Sequence, residues 1–179
     1  MADPAFLFTD LVGFTAFTER EGDEAAADLA ERFCERVDEL NDGHGARDVK
    51  TLGDGCMIHV PDPRCAAELG VEIVESIGPD HGLPLVRVGI DAGPAIERGG
   101  DWFGSTVNRA ARLVDLAEDA TVLITERVHE LSSGEESIEF EPRGLVRPRG
   151  FAGRVEVYAA RRRAGFGPDA HASGPVHRH

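Results

Sequence analysis

The chain has 179 residues, of which 41% are hydrophobic and 29% charged, with a formal net charge of -14. That length suits one domain with a full core, and the acidic balance excludes a general nucleic-acid or anionic-membrane binder, which needs a basic face. No apolar run nears the roughly 18 residues of a membrane span, and "MADPAFLFTD" lacks the basic and apolar regions of a secretory signal, so a cytoplasmic location is expected.

"AFLFTDLVGF" opens with an apolar, strand-like run that stops at Asp10. "TEREGDEAAADLAERFCERVDELNDGHG" reads as a helix with Thr18 and Glu21 as a capping box and Leu29, Phe33, Val37 and Leu40 at helical spacing. "ARDVKTLGDGCMIHV" reads as two strands joined at Gly53-Asp54-Gly55. A second amphipathic helix follows, with Ala66, Leu69, Ile73 and Ile77 on one face. "LPLVRVGIDAG" and "GPAIERGG" give another strand pair, and "STVNRAARLVDLAE" a third helix. A short strand "TVLIT", a short helix "ERVHELS" and a closing hairpin complete the domain.

This order, β-α-β-β-α-β with additions, is the signature of an α+β, ferredoxin-like split βαβ sheet. One domain is expected over residues 1–160. The segment 161–179 carries four Arg and one Asp, is rich in Gly, Pro, Ala and His, and is expected to be a disordered tail. Cys34, Cys56 and Cys65 have no metal-type spacing and read as free packing thiols. His44, His59, His81 and His129 have no partner spacing and are given no chemistry.

Taken alone, Asp10 is a turn cap and Asp54 the acid of a favoured Asp-Gly turn. In a split βαβ sheet, however, the end of the first strand and the tip of the central hairpin are neighbours. Two carboxylates meeting there are hard oxygen ligands suited to Mg²⁺ or Mn²⁺. The glycine-bearing turn after Asp10, with Gly13, Phe14 and Thr15, offers backbone N–H groups to phosphate oxygens. One further oddity is compositional: of the 19 basic residues only Lys50 is a lysine.

"FTDLVGFT", "VKTLGDG", "VRVGIDAG" and "DWFGSTVNRAAR" together resemble the successive motifs of class III adenylate and guanylate cyclase catalytic domains. The resemblance implies the following roles. Asp10 and Asp54, with the Leu11 carbonyl, hold two Mg²⁺ or Mn²⁺ ions per active site. Lys50 and Asp101 read adenine, since a guanine-reading domain would usually carry an acid and a small or thiol residue. Leu52 and Val107 flank the base, and Trp102 belongs with these substrate contacts. Asn108 positions the ribose, and Arg112 stabilises charge on the reacting phosphate. Arg87 contacts the terminal phosphates, and Arg149 stands near a position where the family often has lysine, with Arg147 as its substitute.

The implied activity is conversion of ATP to 3′,5′-cyclic AMP and pyrophosphate. The implied assembly is a head-to-tail homodimer with composite sites, one chain giving Asp10, Asp54 and Arg87 and the other Lys50, Asp101, Asn108 and Arg112. Two alternatives stand beside this: a guanylate cyclase, and a nucleotide-binding regulatory dimer without catalysis.

Overall fold

The structure is a computed structural model in which residues 3–167 are described. The elements run β1 (Ala5–Leu11), α1 (Phe14–Glu21), α2 (Asp23–Asn41), β2 (Arg47–Thr51), β3 (Cys56–Val60), α3 (Pro63–Ser76) and β4 (Val86–Ala92). They continue with β5 (Ile96–Arg98), β6 (Asp101–Phe103), α4 (Ser105–Val114), β7 (Val122–Thr125), α5 (Glu126–Leu131), β8 (Ile138–Val146) and β9 (Val155–Arg162).

Seven strands form one sheet in the order β2-β3-β1-β4-β7-β9-β8. Neighbours among its first four strands are antiparallel, with β3 inserted between β1 and β2, which is the split βαβ arrangement expected from the sequence. β7 then adds parallel to β4, and the β8–β9 hairpin closes the far edge.

Strand alternation assigns the two faces of this sheet. Ala5, Leu7 and Leu11 of β1, Cys56 and Ile58 of β3, and Val86, Val88 and Ile90 of β4 point into the main core, with Phe33 and Val37 of α2, Leu69 and Ile73 of α3 and Val128 of α5. Phe6, Phe33 and Ile58 are fully buried, and burying such a side chain stabilises the fold by roughly 1.5–3 kcal/mol. On the other face, Phe6 and Phe8 of β1 and Met57 of β3 pack against Val107, Ala110 and Val114 of α4. Gly89 permits this contact to be close: a Cβ there would collide with the backbone of Val114 and lie 2.9 Å from the Ala110 carbonyl.

Three expectations are corrected. The long helix is broken at Gly22, whose φ of 90° suits glycine far better than other residues. Thr18 is therefore interior to α1 and Glu21 is its last residue, and the Thr18 hydroxyl donates to the Phe14 carbonyl at 2.9 Å instead of capping a helix. Second, β5 pairs with β6 and not with β4, in a separate two-stranded sheet with Arg98 opposite Asp101. Gly99 and Gly100, both at positive φ, make its two-residue turn. Third, Arg161 and Arg162, assigned to the tail by composition, extend β9 and pair with Glu139 and Glu75 at 3.1 and 2.9 Å. Residues 163–167 follow it, with Arg163 N donating to the Ser137 carbonyl at 2.8 Å, and the remainder of the expected tail, 168–179, with His171, His177 and His179, lies outside the described residues. The three cysteines are free, with Cys34 Sγ 3.5 Å from Cys56 Sγ.

Candidate active site

Asp10 continues the Phe6–Phe8 side of β1, so alternation turns it to the α4 face of the sheet. Its register partner across β4 is Arg87, and the Arg87 Nη2 donates to Asp10 Oδ2 at 2.6 Å. The hairpin tip between β2 and β3 is drawn onto the end of β1 by backbone. Leu11 N donates to the Asp54 carbonyl at 3.1 Å, and Cys56 N donates to the Thr9 hydroxyl at 2.9 Å. Gly55 makes the approach possible, because a Cβ there would collide with the Thr9 carbonyl.

The result is a carboxyl–carboxyl contact. Burial and a hydrogen bond with Asp54 push Asp10 up to about 6, although Arg87 pulls the other way. Two half-buried carboxyls facing one guanidinium carry surplus negative charge whenever both ionise. Among the described residues no group of three or more His, Cys, Asp or Glu is placed to hold an ion. A pair of carboxylates is nonetheless the donor set that Mg²⁺ uses when substrate phosphates complete its shell. The residues present fit such an ion. Leu11 lies between them in the chain, at the end of β1. Beyond it, Gly13 at φ 75° leads into Phe14 and Thr15, the first residues of α1, whose first-turn N–H groups have no partner within the helix.

Lys50 and Asp101 meet between β2 and the β5–β6 hairpin. The Lys50 ammonium donates to Asp101 Oδ2 at 2.7 Å, and Asp101 Oδ1 accepts from Trp102 N at 2.8 Å. Lys50 thereby holds the Asp101 carboxyl below its ordinary range. Leu52, 46% exposed, follows Lys50 toward the hairpin tip, whereas Val107 is 6% exposed and packed in the core under α4.

Helix α4 starts at Gly104 and buries Thr106, Val107, Ala110, Leu113 and Val114. Asn108 and Arg112, four residues apart, lie together on its exposed side. Neither side chain has a hydrogen bond or ion pair among the described residues. The same is true of Arg147 and Arg149, both exposed in the loop between β8 and β9. No hydrogen bond or ion pair among the described residues joins Asp10, Asp54 or Arg87 to Lys50, Asp101, Asn108 or Arg112.

Two features escaped the sequence reading. Asp91 of β4 is fully buried, accepting from Arg109 Nη1 at 2.8 Å, Thr125 Oγ1 at 2.7 Å and Ala92 N at 2.9 Å. Arg109 then lies 5.4 Å from the ring of Phe151, so one ion pair ties β4 and α4 to the loop that bears Arg149. An acid following the apolar run Val88-Gly89-Ile90 in "VRVGIDA" was the available signal. His59 was given no role, yet its ring stacks on Trp102 at 4.5 Å and 8°. Its alternation with Met57 was the signal, since both face α4's side of the sheet.

Residues 2–161 match the family model described as the adenylate and guanylate cyclase catalytic domain. A pH-sensitive adenylate cyclase of Mycobacterium tuberculosis is 36% identical over 163 residues, covering 88% of this chain and 40% of that protein. An adenylate cyclase of Streptomyces coelicolor is 42% identical over 117 residues, covering 65% of this chain and 31% of that protein. The chain thus spans less than half the length of these relatives. The fold superimposes on the adenylyl cyclase CyaB from P. aeruginosa with a TM-score of 0.76 at 21% identity, covering 89% of this chain and 93% of that one. It superimposes with a TM-score of 0.79 at 20% identity on the catalytic core of a rhodopsin-guanylyl cyclase with converted specificity, covering 90% and 97%.

Proposed function

The chain belongs to the adenylate and guanylate cyclase catalytic domain family, and on that premise we propose that it is an adenylate cyclase, converting ATP to 3′,5′-cyclic AMP and pyrophosphate. The observation that carries the choice of base is the Lys50–Asp101 pair at 2.7 Å. It presents a fixed donor beside a fixed acceptor, complementary to the ring nitrogen and exocyclic amine of adenine. Guanine offers a carbonyl and a ring N–H at the matching edge, and this pair would meet it with the wrong polarity.

Asp10 and Asp54, with the Leu11 carbonyl, would hold two Mg²⁺ or Mn²⁺ ions. Bound there, the ions supply positive charge to the phosphate oxygens and make the ribose hydroxyl more acidic. The chain's own work is positioning and charge. Asn108 orients the ribose so that its 3′-oxygen faces the α-phosphorus. As that O–P bond forms, the hydroxyl proton is lost and the bond from the α-phosphorus to the bridging oxygen breaks, releasing pyrophosphate. Arg112 meets the charge developing on the α-phosphoryl oxygens. Arg87, the N–H groups at Gly13, Phe14 and Thr15, and Arg149 or Arg147 hold the departing phosphates. Leu52 and Trp102 border the base, with Val107 beneath. These local cations explain how a chain of net charge -14 could accept ATP.

The site is composite in this reading. Asn108 and Arg112 stand in solvent with no partner among the described residues of their own chain, and a second copy would supply one. Ile96 and Phe103 on the β5–β6 hairpin, 59% and 52% exposed, and Leu145 on β8, 62% exposed, support burial against that copy. A homodimer in head-to-tail arrangement would hold two complete sites. No described helix is long and apolar enough to cross a membrane. The test is cyclic nucleotide production from ATP and from GTP, each with Mg²⁺ and with Mn²⁺. Cyclic AMP as the main product is expected; a strong preference for GTP would overturn the base assignment, and no product with either nucleotide would leave a binding domain.

A further inference from the structure

Asp101 of the proposed base-reading pair sits on a short, exposed hairpin while Lys50 comes from β2, and something must hold that hairpin still. β5 and β6 are three residues each and belong to no larger sheet. Two backbone-bonded triplets are weak by themselves. Their anchor is Trp102, whose indole lies flat on the His59 imidazole at 4.5 Å and 8°, with the ring of Phe6 tilted against both at 5.4 and 5.6 Å. Trp102 is the neighbour of Asp101 and donates its N–H to that carboxylate. His59 is thus linked to the Lys50–Asp101 pair through a single residue.

We propose that His59 is a positioning residue for base recognition: its imidazole, stacked on Trp102, fixes the β5–β6 hairpin so that Asp101 stays against Lys50. The inference rests on the adenylate cyclase reading for its functional consequence, while the stack itself is open to direct test. Geometry assigns the role. His59 sits on β3, a strand paired on both sides, opposite Phe6 of β1 and Arg47 of β2. It carries no hydrogen bond among the described residues, so its contact with the hairpin is through the ring faces. Burial and the nearby Arg47 guanidinium lower its proton affinity, and Glu97 of β5 opposes them. Phe6, from β1, brings no charge. The sign follows: the ring is neutral near pH 7, and acidification places a cation beneath the indole, next to Arg47, at a cost to the folded state.

Trp102 is the single tryptophan of the chain, so its fluorescence reports this stack without interference. In the full chain, a pH titration of that fluorescence should show quenching on imidazolium formation with a midpoint below that of free histidine. His59→Phe, which keeps a flat ring and cannot titrate, should abolish the midpoint. Persistence of the same midpoint in His59→Phe, or a flat titration in the wild type, would overturn the stack as the titrating contact. On activity, His59→Ala should raise KM for ATP about 2- to 10-fold, the scale of a lost aromatic pair. kcat should change less, and the preference for ATP over GTP should fall by a similar factor. His59→Phe should recover most of that KM. An equal loss in both substrates, or a loss in kcat alone, would mean that His59 supports the fold and not base recognition. Should the wild type prefer GTP, the adenylate cyclase reading fails while the fluorescence titration still decides the stack.

Discussion

The two charged clusters of this chain differ in how completely each satisfies itself. Lys50 and Asp101 are a closed pair, one ammonium on one carboxylate, both well exposed to solvent. Asp10, Asp54 and Arg87 are an open set, half-buried, with two acids pressed together by hydrogen bonds at the hairpin tip and one cation, paired with Asp10, beside them. In the proposed reading the first offers a base one fixed donor beside one fixed acceptor, which would make it selective. The second is destabilised by its own charge and would gain from a cation, which suits the proposed metal site. A structural element that is uncomfortable alone is a better clue to a missing ligand than one that is content.

The comparison can be broken most severely by removing one member of each proposed half-site. Asp10→Ala and Arg112→Ala should each lower kcat by about 10³-fold or more, the scale of losing an arginine at a transferring phosphoryl group. Mixed and allowed to exchange subunits, the two variants should regain activity through heterodimers with one intact site. Demonstrated exchange with no recovery would rule out sharing between chains.

A smaller effect should come from inverting the closed pair. Lys50→Glu with Asp101→Cys should weaken ATP use relative to GTP by about 10- to 100-fold, the usual span for a mismatched polar base contact. Steady-state kinetics with both nucleotides measures it, and equal loss for both would deny the pair its base-reading role.

Stability should separate the clusters next. Asp10 is pushed up to about 6 from an ordinary 3.8, so between those values the folded chain holds a proton that the unfolded chain has released. The metal-free protein should therefore lose stability as pH rises from 4 through 6, and that loss should persist at pH 7. Mn²⁺ should restore it, and Asp54→Asn should weaken the pH trend without abolishing it, since burial also raises Asp10 and Asp48, and should remove most of the Mn²⁺ response. Thermal melts read this out, with each kcal/mol worth about 2–4 °C in a chain of this size. A metal-free midpoint that climbs over the same pH range would show that Asp10 ionises freely. The smallest effect belongs to the exposed pair: Lys50→Met should leave the melting midpoint unchanged, because exposed ion pairs contribute little.

Much of this was readable from the chain itself, and the failures have a common form. The split βαβ order, the hairpin at Gly53-Asp54-Gly55 and the surface position of Asn108 and Arg112 follow from local periodicity and turn chemistry. The meeting of Asp10 and Asp54 was legible because the topology places a strand end beside a hairpin tip. Local rules failed where two signals competed. Thr18 and Glu21 have the spacing of a cap, but the left-handed Gly22 decides where α2 begins. β5 has a strand's composition, but Gly99-Gly100 turns the chain back before it can reach β4. His59 and Asp91 were missed for a different reason. Their partners, Trp102 and Arg109, are remote in sequence, and no spacing rule joins residues that only the folded sheet brings together.

The contact at Gly89 sets how such a molecule can move. With no room for a methyl group between β4 and α4, the helix cannot slide along the strand, and Arg109 pins it further to buried Asp91. Asn108 and Arg112 are thus mounted on the same stiff plate as Asp10 and Arg87. In the proposed homodimer the soft joint would lie between molecules, not within one. A catalyst built that way would have dilution as its off position: specific activity should climb with protein concentration until the monomers are used up, and anything that clasps two copies together would act as a throttle.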